Sequence, residues 1–239
     1  MASDSGEWIL RGIEEDDPGC LHSPEELIKA VDELGFLPLF HNTIPGFSVE
    51  ERTPALWWWA EEEARDPWVW REVLARSGRV AYGKFFGHKA GFLSLAWLPY
   101  FANARRDGYD FDARWDEGLA TQREKKIMDA LGEDELFSFQ LRQKAGFGKG
   151  GEKNFEGTIS QLQMQIYLVV RDFRSRVNKL GQPYGWHIAV YTTPEHLWGY
   201  DLVTSAYVEE PERSRERIVR QMETICPQAT HRQIEALLR

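Results

Sequence analysis

The chain has 239 residues, a net charge of −9 and 42% hydrophobic residues, enough apolar content for one large domain or two small ones. No apolar run approaches the length of a membrane span, and the acidic opening MASDSGEWILRGIEEDD lacks the positive start and apolar stretch of a secretory signal. Cys20 and Cys226 stand near opposite ends and the six histidines are scattered. Neither a disulfide framework nor a metal site is implied, no cofactor is expected, and a soluble cytoplasmic protein is the reading.

Residues 1–20 read as a disordered or extended N-terminus and 21–118 as an N-terminal α/β part. Ser23-Pro-Glu-Glu is a helix start, with a serine cap, proline at the first helical position and glutamates near the positive end of the dipole. Leu27, Ile28, Val31 and Leu34 follow at helical spacing and Gly35 stops the helix. Phe36-Leu-Pro-Leu-Phe reads as a strand at a sheet edge, where Pro38 costs no ladder bond. The stretch WWWAEEEARDPWVW at 57–70 holds five of the ten tryptophans. Such residues are core, or a platform on which extruded bases stack. Residues 79–98 are largely apolar with His88 in their middle, either a structural histidine or one suited to acid–base work. The acidic run at 107–117 lacks the spacing of a calcium loop and reads as a solvated linker at a domain boundary.

A second unit is expected over 119–195. Ile127, Met128 and Leu131 mark one helix, and Phe139, Leu141 and Ala145 a second. After a glycine–lysine loop at 146–151, Phe155, Ile159, Leu162 and Ile166 mark a third. A strand is expected over 166–170, a turn at Gly181-Gln-Pro, and a strand over 185–191. Helix, helix, helix, strand, turn, strand is the order of a winged helix-turn-helix. Two more helices, around 214–225 and after the Thr230-His-Arg-Gln capping box, form a helical tail over 196–239. The fold class is therefore α+β.

Charge is unevenly spread. Residues 139–186 hold eight cations (Arg142, Lys144, Lys149, Lys153, Arg171, Arg174, Arg176 and Lys179) against Glu152, Glu156 and Asp172, a local +5 that leaves −14 elsewhere. The loop SFQLRQKAGFGKGGEK is no P-loop, because it lacks GxxxxGK[ST] and follows a helix. It reads either as a solvated loop or as a turn facing a DNA phosphate, and the basic residues of the following hairpin favour the second. Lys144, Lys149, Lys153, Arg174, Arg176 and Lys179 are the candidate phosphate ligands. On the third helix Gly157, Ser160 and Met164 face away from the apolar stripe. Ser160 and Gln161 are candidates for groove contact, although a glutamine there is also an ordinary surface residue.

Two blocks carry a resemblance. RVAYGKFFGHKAGFLSL at 79–95, with Arg105-Arg106 after it, resembles the aromatic-x-x-His-x-Ala segment of the AlkZ-related proteins. These are a short branch of the winged-helix superfamily that contains the AlkZ/YcaQ DNA glycosylases. Residues 126–191 resemble that family's glycine- and lysine-bearing turn, recognition helix and wing, and the likeness covers roughly 34–194. It implies duplex DNA as partner, and release of alkylated or crosslinked bases without metal or cofactor. The family's first, N-terminal winged helix reads here as shortened or missing. The family's Gln-x-Gln or Gln-x-Asp motif follows a Gly-Phe-like segment. Here that place reads Gly35-Phe-Leu-Pro-Leu-Phe40, so Pro38 and Phe40 stand where the polar pair belongs and the catalytic motif reads as lost. The alternatives are an active glycosylase using His88 with an acidic neighbour from 107–117, and a protein-interaction module using the same surfaces. No membrane partner is expected.

Overall fold

The computed structural model describes residues 10–239; of the N-terminal extension read over 1–20, residues 1–9 lie outside the described residues. From Leu10 onward the chain is tied down. Arg11 N–H donates to a Glu50 carboxylate oxygen at 2.8 Å, Ile13 N–H to the Thr53 carbonyl at 3.3 Å, and Cys20 is buried.

Helix α1 (Pro24–Leu34) is capped by Ser23, whose hydroxyl accepts from Glu26 N–H, and ends at Gly35. Gly35 has φ 90°, and a Cβ there would fall 2.6 Å from the Trp97 indole, so both backbone and packing demand glycine. Strand β1 (Phe36–Pro38) lies at the edge of the sheet order β1-β3-β2, all antiparallel. Helix α2 (Pro67–Ser77) is capped by Asp66 and stopped by left-handed Gly78. The hairpin β2 (Val80–Phe86) and β3 (Lys89–Ser94) turns at Gly87-His88, both at positive φ, as a two-residue hairpin turn requires.

Helix α3 (Leu98–Arg106) ends at left-handed Asp107. The acidic run beyond it is solvated at Asp107, Asp112, Asp116 and Glu117, but it forms a helix rather than an irregular linker. Asp110 caps a short helix α4 (Phe111–Asp116), and the buried Phe111 ring meets Tyr167 edge-on at 5.3 Å. Asp110 serves the helix end, while Phe111, one of three aromatics in the run, anchors the segment.

Helix α5 (Gln122–Leu131) carries a full capping box between Thr121 and Glu124. After it come β4 (Leu136–Phe137), α6 (Ser138–Lys144), α7 (Phe155–Met164), β5 (Val169–Val177) and β6 (Pro183–Thr192), the strands forming an antiparallel sheet in the order β4-β6-β5. The strand expected from residue 166 begins only at Val169. Ile166 has φ 62° and is fully buried, so its apolar side chain completes the helical stripe while its backbone turns the chain off α7. Helices α8 (Pro194–Trp198), α9 (Tyr200–Val203), α10 (Pro211–Ile225) and α11 (His231–Leu238) complete the chain.

One apolar core runs from Cys20 to Leu237. Two polar anchors on α3 organise it. Asn103 Nδ2 donates at 3.0 Å to the Ala206 and Glu209 carbonyls and to Ser214 Oγ, which fixes α10 on α3. Arg106, fully buried, donates to Glu195 and to the Ile166 carbonyl, both at 2.5 Å, and stacks over Tyr167. Among the described residues no helix is long and apolar enough to cross a membrane.

Removing one partner of a buried ion pair leaves the other's charge and bonds uncompensated. Arg106→Met should therefore cost about 3–5 kcal/mol in chemical denaturation, and Glu195→Gln distinctly less, since Glu195 is nearer solvent and keeps an acceptor oxygen. Equal and small losses in both variants would show that Arg106 is not the tie.

Candidate nucleic-acid interface

The glycine–lysine loop is a knitted turn. Gly146, Gly148 and Gly150 have φ 75°, 157° and 81°. Gly148 N–H donates to the Glu152 carbonyl at 3.2 Å and Glu152 N–H to the Gly146 carbonyl at 3.0 Å. A Cβ on Gly151 would sit 2.2 Å from the Gly146 oxygen, so only glycine closes the turn. Glu152, the loop's one acid, is turned back to Lys126 at 2.7 Å and Arg123 at 3.3 Å. Lys149 and Lys153 are exposed and, among the described residues, have no carboxylate partner.

The hairpin β5–β6 divides its cations into two groups. At its base Arg174 pairs with Asp172 at 2.7 Å and Glu135 at 2.8 Å; Arg76 joins Asp172 at 2.9 Å and Arg171 joins Glu135 at 3.1 Å. Lys144 likewise pairs with Asp134 at 3.4 Å. Of the six candidate phosphate ligands, Lys144 and Arg174 are thus neutralised locally. Toward its tip, Arg176 and Lys179 are exposed with no carboxylate partner among the described residues, and the Arg176 guanidinium lies 4.6 Å over the Phe139 ring of α6. That stack joins hairpin to helix and brings exposed Arg142 of α6 onto the same side. Two large apolar side chains stand out from the hairpin: Leu180 at its tip is 82% exposed, and Trp186, level with the Arg174–Arg176 stretch of β5, is 93% exposed. Arg142 and Trp186 were not singled out from sequence, although Tyr184 and Trp186 alternate with glycine in a strand, a period-two signal of one exposed face.

Helix α7 presents little of itself. Ser160, expected on the outer face, is buried, and the ring nitrogen Nδ1 of His88 lies 2.9 Å from its hydroxyl. Gln163 is buried and accepts from Lys84 N–H, and His88 N–H meets the Met164 sulfur at 3.3 Å. The β2–β3 hairpin therefore covers this side of α7, leaving Glu156 and Gln161 as its exposed side chains. His88 itself is exposed at the hairpin tip, and no carboxylate from 107–117 pairs with it among the described residues.

The segment after Gly35 offers no polar side chain. Phe36, Leu37 and Leu39 are fully buried, Pro38 is also buried, and the half-buried Phe40 stacks among Trp58 and Trp68, with ring centroids 5.4 and 6.3 Å away. In the tryptophan stretch, Trp57, Trp58 and Trp70 are core, and Trp59 is exposed. Arg71 is sandwiched between the Trp68 and Phe173 rings at 3.7 and 3.9 Å, which docks α2 against β5.

A family model described as AlkZ related matches residues 21–239, and the chain belongs to that family. No curated protein and no solved structure matches it.

Burial pushes the Asp172 carboxyl up, but hydrogen bonds from Arg174, the Phe173 N–H and Arg76 overcome it and hold the group below the usual carboxylate range. A depressed folded-state pKa contributes stability above the unfolded value, about 4, and loses it as pH falls through the folded value. In urea unfolding, Asp172→Asn should be less stable than the parent at neutral pH, and the gap should close below about pH 4. A gap unchanged down to acid pH would remove the carboxylate as its cause.

Proposed function

We propose that the chain binds duplex DNA through α6, the glycine–lysine turn and the tip of the β5–β6 hairpin, as a winged helix-turn-helix unit over 119–195. The element order α5-β4-α6-α7-β5-β6, with β6 between β4 and β5, supports that architecture. The observation that carries the proposal is a group of five exposed cations on these elements with no carboxylate partner among the described residues: Arg142, Lys149, Lys153, Arg176 and Lys179. They sit in a chain of net charge −9, so self-repulsion from the rest of the surface orients a polyanion onto this face.

The covered α7 alters how such binding works. A recognition helix whose exposed side chains are Glu156 and Gln161 offers few base-edge contacts. Affinity then comes from phosphates and from the hairpin, where Leu180 at the tip and Trp186 along β6 can wedge against bases in a minor groove or an opened strand. Family membership supports a nucleic-acid partner. Base release finds less support, because residues 36–40 are apolar and His88 has no acid beside it. A protein-binding tryptophan patch also finds less, since Trp59 alone of Trp57, Trp58, Trp59 and Trp70 is exposed.

The test is fluorescence anisotropy with undamaged and alkylated duplexes over a salt series. Lys149→Glu and Arg176→Glu should each weaken binding and lower the log–log salt slope by about 1. Arg174→Gln, whose parent residue is already paired, should leave the slope unchanged while lowering stability. Charge reversal of Lys149 and Lys153 together with no change in affinity would overturn the proposal, and base release lost in His88→Ala would favour the glycosylase.

A further inference from the structure

The β5–β6 hairpin carries no acid after Asp172: residues 173–191 hold Arg174, Arg176 and Lys179 and no Asp or Glu, in a chain of net charge −9. Its outer half is also apolar toward solvent. Leu180 and Trp186 stand in water, and Val177 and Tyr184 are exposed as well. Contiguous exposed apolar surface of this kind marks a site of interaction. The backbone holds it out. At the tip Asn178 N–H donates to the Gln182 carbonyl at 2.9 Å and Gly181 N–H to the Asn178 carbonyl at 3.0 Å. Asn178 Oδ1 accepts from Leu180 N–H at 2.9 Å and from Gln182 N–H at 3.0 Å, and Asn178 Nδ2 donates to Gln182 Oε1 at 3.1 Å. Five hydrogen bonds thus fix the loop that presents Leu180 to solvent. Further back the ladder slips. Arg174 pairs with Ile188 and Arg176 with Tyr184, so Ser175 faces three residues of β6, Gly185, Trp186 and His187. Gly185 has φ 74° and lets the strand bulge there. A bulge re-aims the side chain beside it, here Trp186.

We infer that the hairpin is a reader of opened duplex DNA: Leu180 and Trp186 pack against bases that have already lost their pairing, and the protein prefers such DNA to closed duplex. The inference rests on the DNA-binding reading above and commits it to one substrate class. In a closed duplex both faces of each internal base are stacked, so an apolar wedge must first separate a step. In an opened duplex that cost is already met, and a free π-face accepts an aromatic ring whatever the base. The cations of α6 and the glycine–lysine turn serve the phosphates of either DNA, so the preference comes from the hairpin. A bilayer fits less well. Asn178, Lys179 and Gln182 share the loop with Leu180, and inserting the tip into hydrocarbon would bury their polar groups. A second copy meeting the first hairpin to hairpin would oppose like charges.

Anisotropy of the full chain with a closed duplex, and with a duplex of the same length carrying a central mismatched bubble, tests the inference, because the two hold the same number of phosphates. The bubble should bind roughly tenfold or more tightly. Trp186→Ala and Leu180→Ala should each reduce that preference and together abolish it, with melting temperatures like the parent's, since neither side chain is buried. Trp186→Phe, which keeps a ring to stack, should retain most of it. 2-Aminopurine placed in the bubble should be quenched by the parent and not by Trp186→Ala. Lys149→Glu should weaken both DNAs alike and leave the preference intact. No salt-dependent binding to either DNA would overturn the DNA-binding reading and this inference with it. Equal affinity for bubble and closed duplex would leave that reading standing and overturn the inference alone, as would a preference that survives the double alanine variant. Equal affinities accompanied by Trp186-dependent sedimentation on phosphatidylserine vesicles would give the hairpin to a membrane, and accompanied by Trp186-dependent self-association, to a second copy of the chain.

Discussion

Arg106 sits where the parts of the molecule meet. It leaves the last turn of α3, reaches the carbonyl of Ile166 where the chain turns off α7, and pairs with Glu195 at the start of α8. A guanidinium with no solvent exposure costs several kcal/mol to desolvate. It persists because Glu195, a carbonyl and the face of Tyr167 together replace its water. The consequence is rigidity of placement. The residue that ends α7 and the one that begins the tail are held to the same side chain on α3, so the N-terminal sheet, the helical unit and the tail cannot slide past one another without exposing that charge.

The next constraint follows from this placement. With α3 fixed against the end of α7, the β2–β3 hairpin lies along α7, and Gln163 and Ser160 become partners for Lys84 and His88. Ser160, a groove candidate on an isolated helix, is therefore an internal hydrogen-bonding group, as is Gln163, whereas the other candidate, Gln161, stays exposed. The hairpin's own shape depends on glycine: a Cβ on Gly91 would lie 2.5 Å from the Phe86 ring and 2.9 Å from the Leu37 carbonyl. Close passage of an aromatic ring between strands is how His88 reaches α7.

What was legible from sequence is whatever depends on near neighbours in the chain. Ser23 and Thr230 gave true caps, Pro38 marked an edge strand, and the stripe Phe155, Ile159, Leu162 marked α7, because caps and stripes are local physics. Ile166 misled because one apolar residue served both a helical stripe and an apparent strand, and only its positive φ separates them. The acidic run at 107–117 is solvated at Asp107, Asp112, Asp116 and Glu117 as charge suggests, but its helix was missed because Asp110 is a cap and Phe111 an anchor. The site was half legible. Composition located the cations, but which of them are neutralised depends on Glu135, Asp134 and Asp172 arriving from other elements, a tertiary fact. The unpartnered side-chain oxygen of Gln165 carries no sequence signal, since such an acceptor is defined by the absence of long-range partners among the described residues.

The two ends of α7 thus differ in kind. Its N-terminal end follows a turn that three left-handed glycines and their backbone bonds hold in shape, so Lys149 and Lys153 project from a rigid support. Cations on a rigid support lose little conformational freedom when they meet a phosphate lattice, whereas cations on a floppy loop lose more. At its C-terminal end Met164 and Gln165 border an open cavity whose other walls are α3, α10 and α11. The burial that removes Ser160 and Gln163 from solvent fixes α7 against the β2–β3 hairpin, and with it the placement of the turn at one end of the helix and of the tail helices at the other.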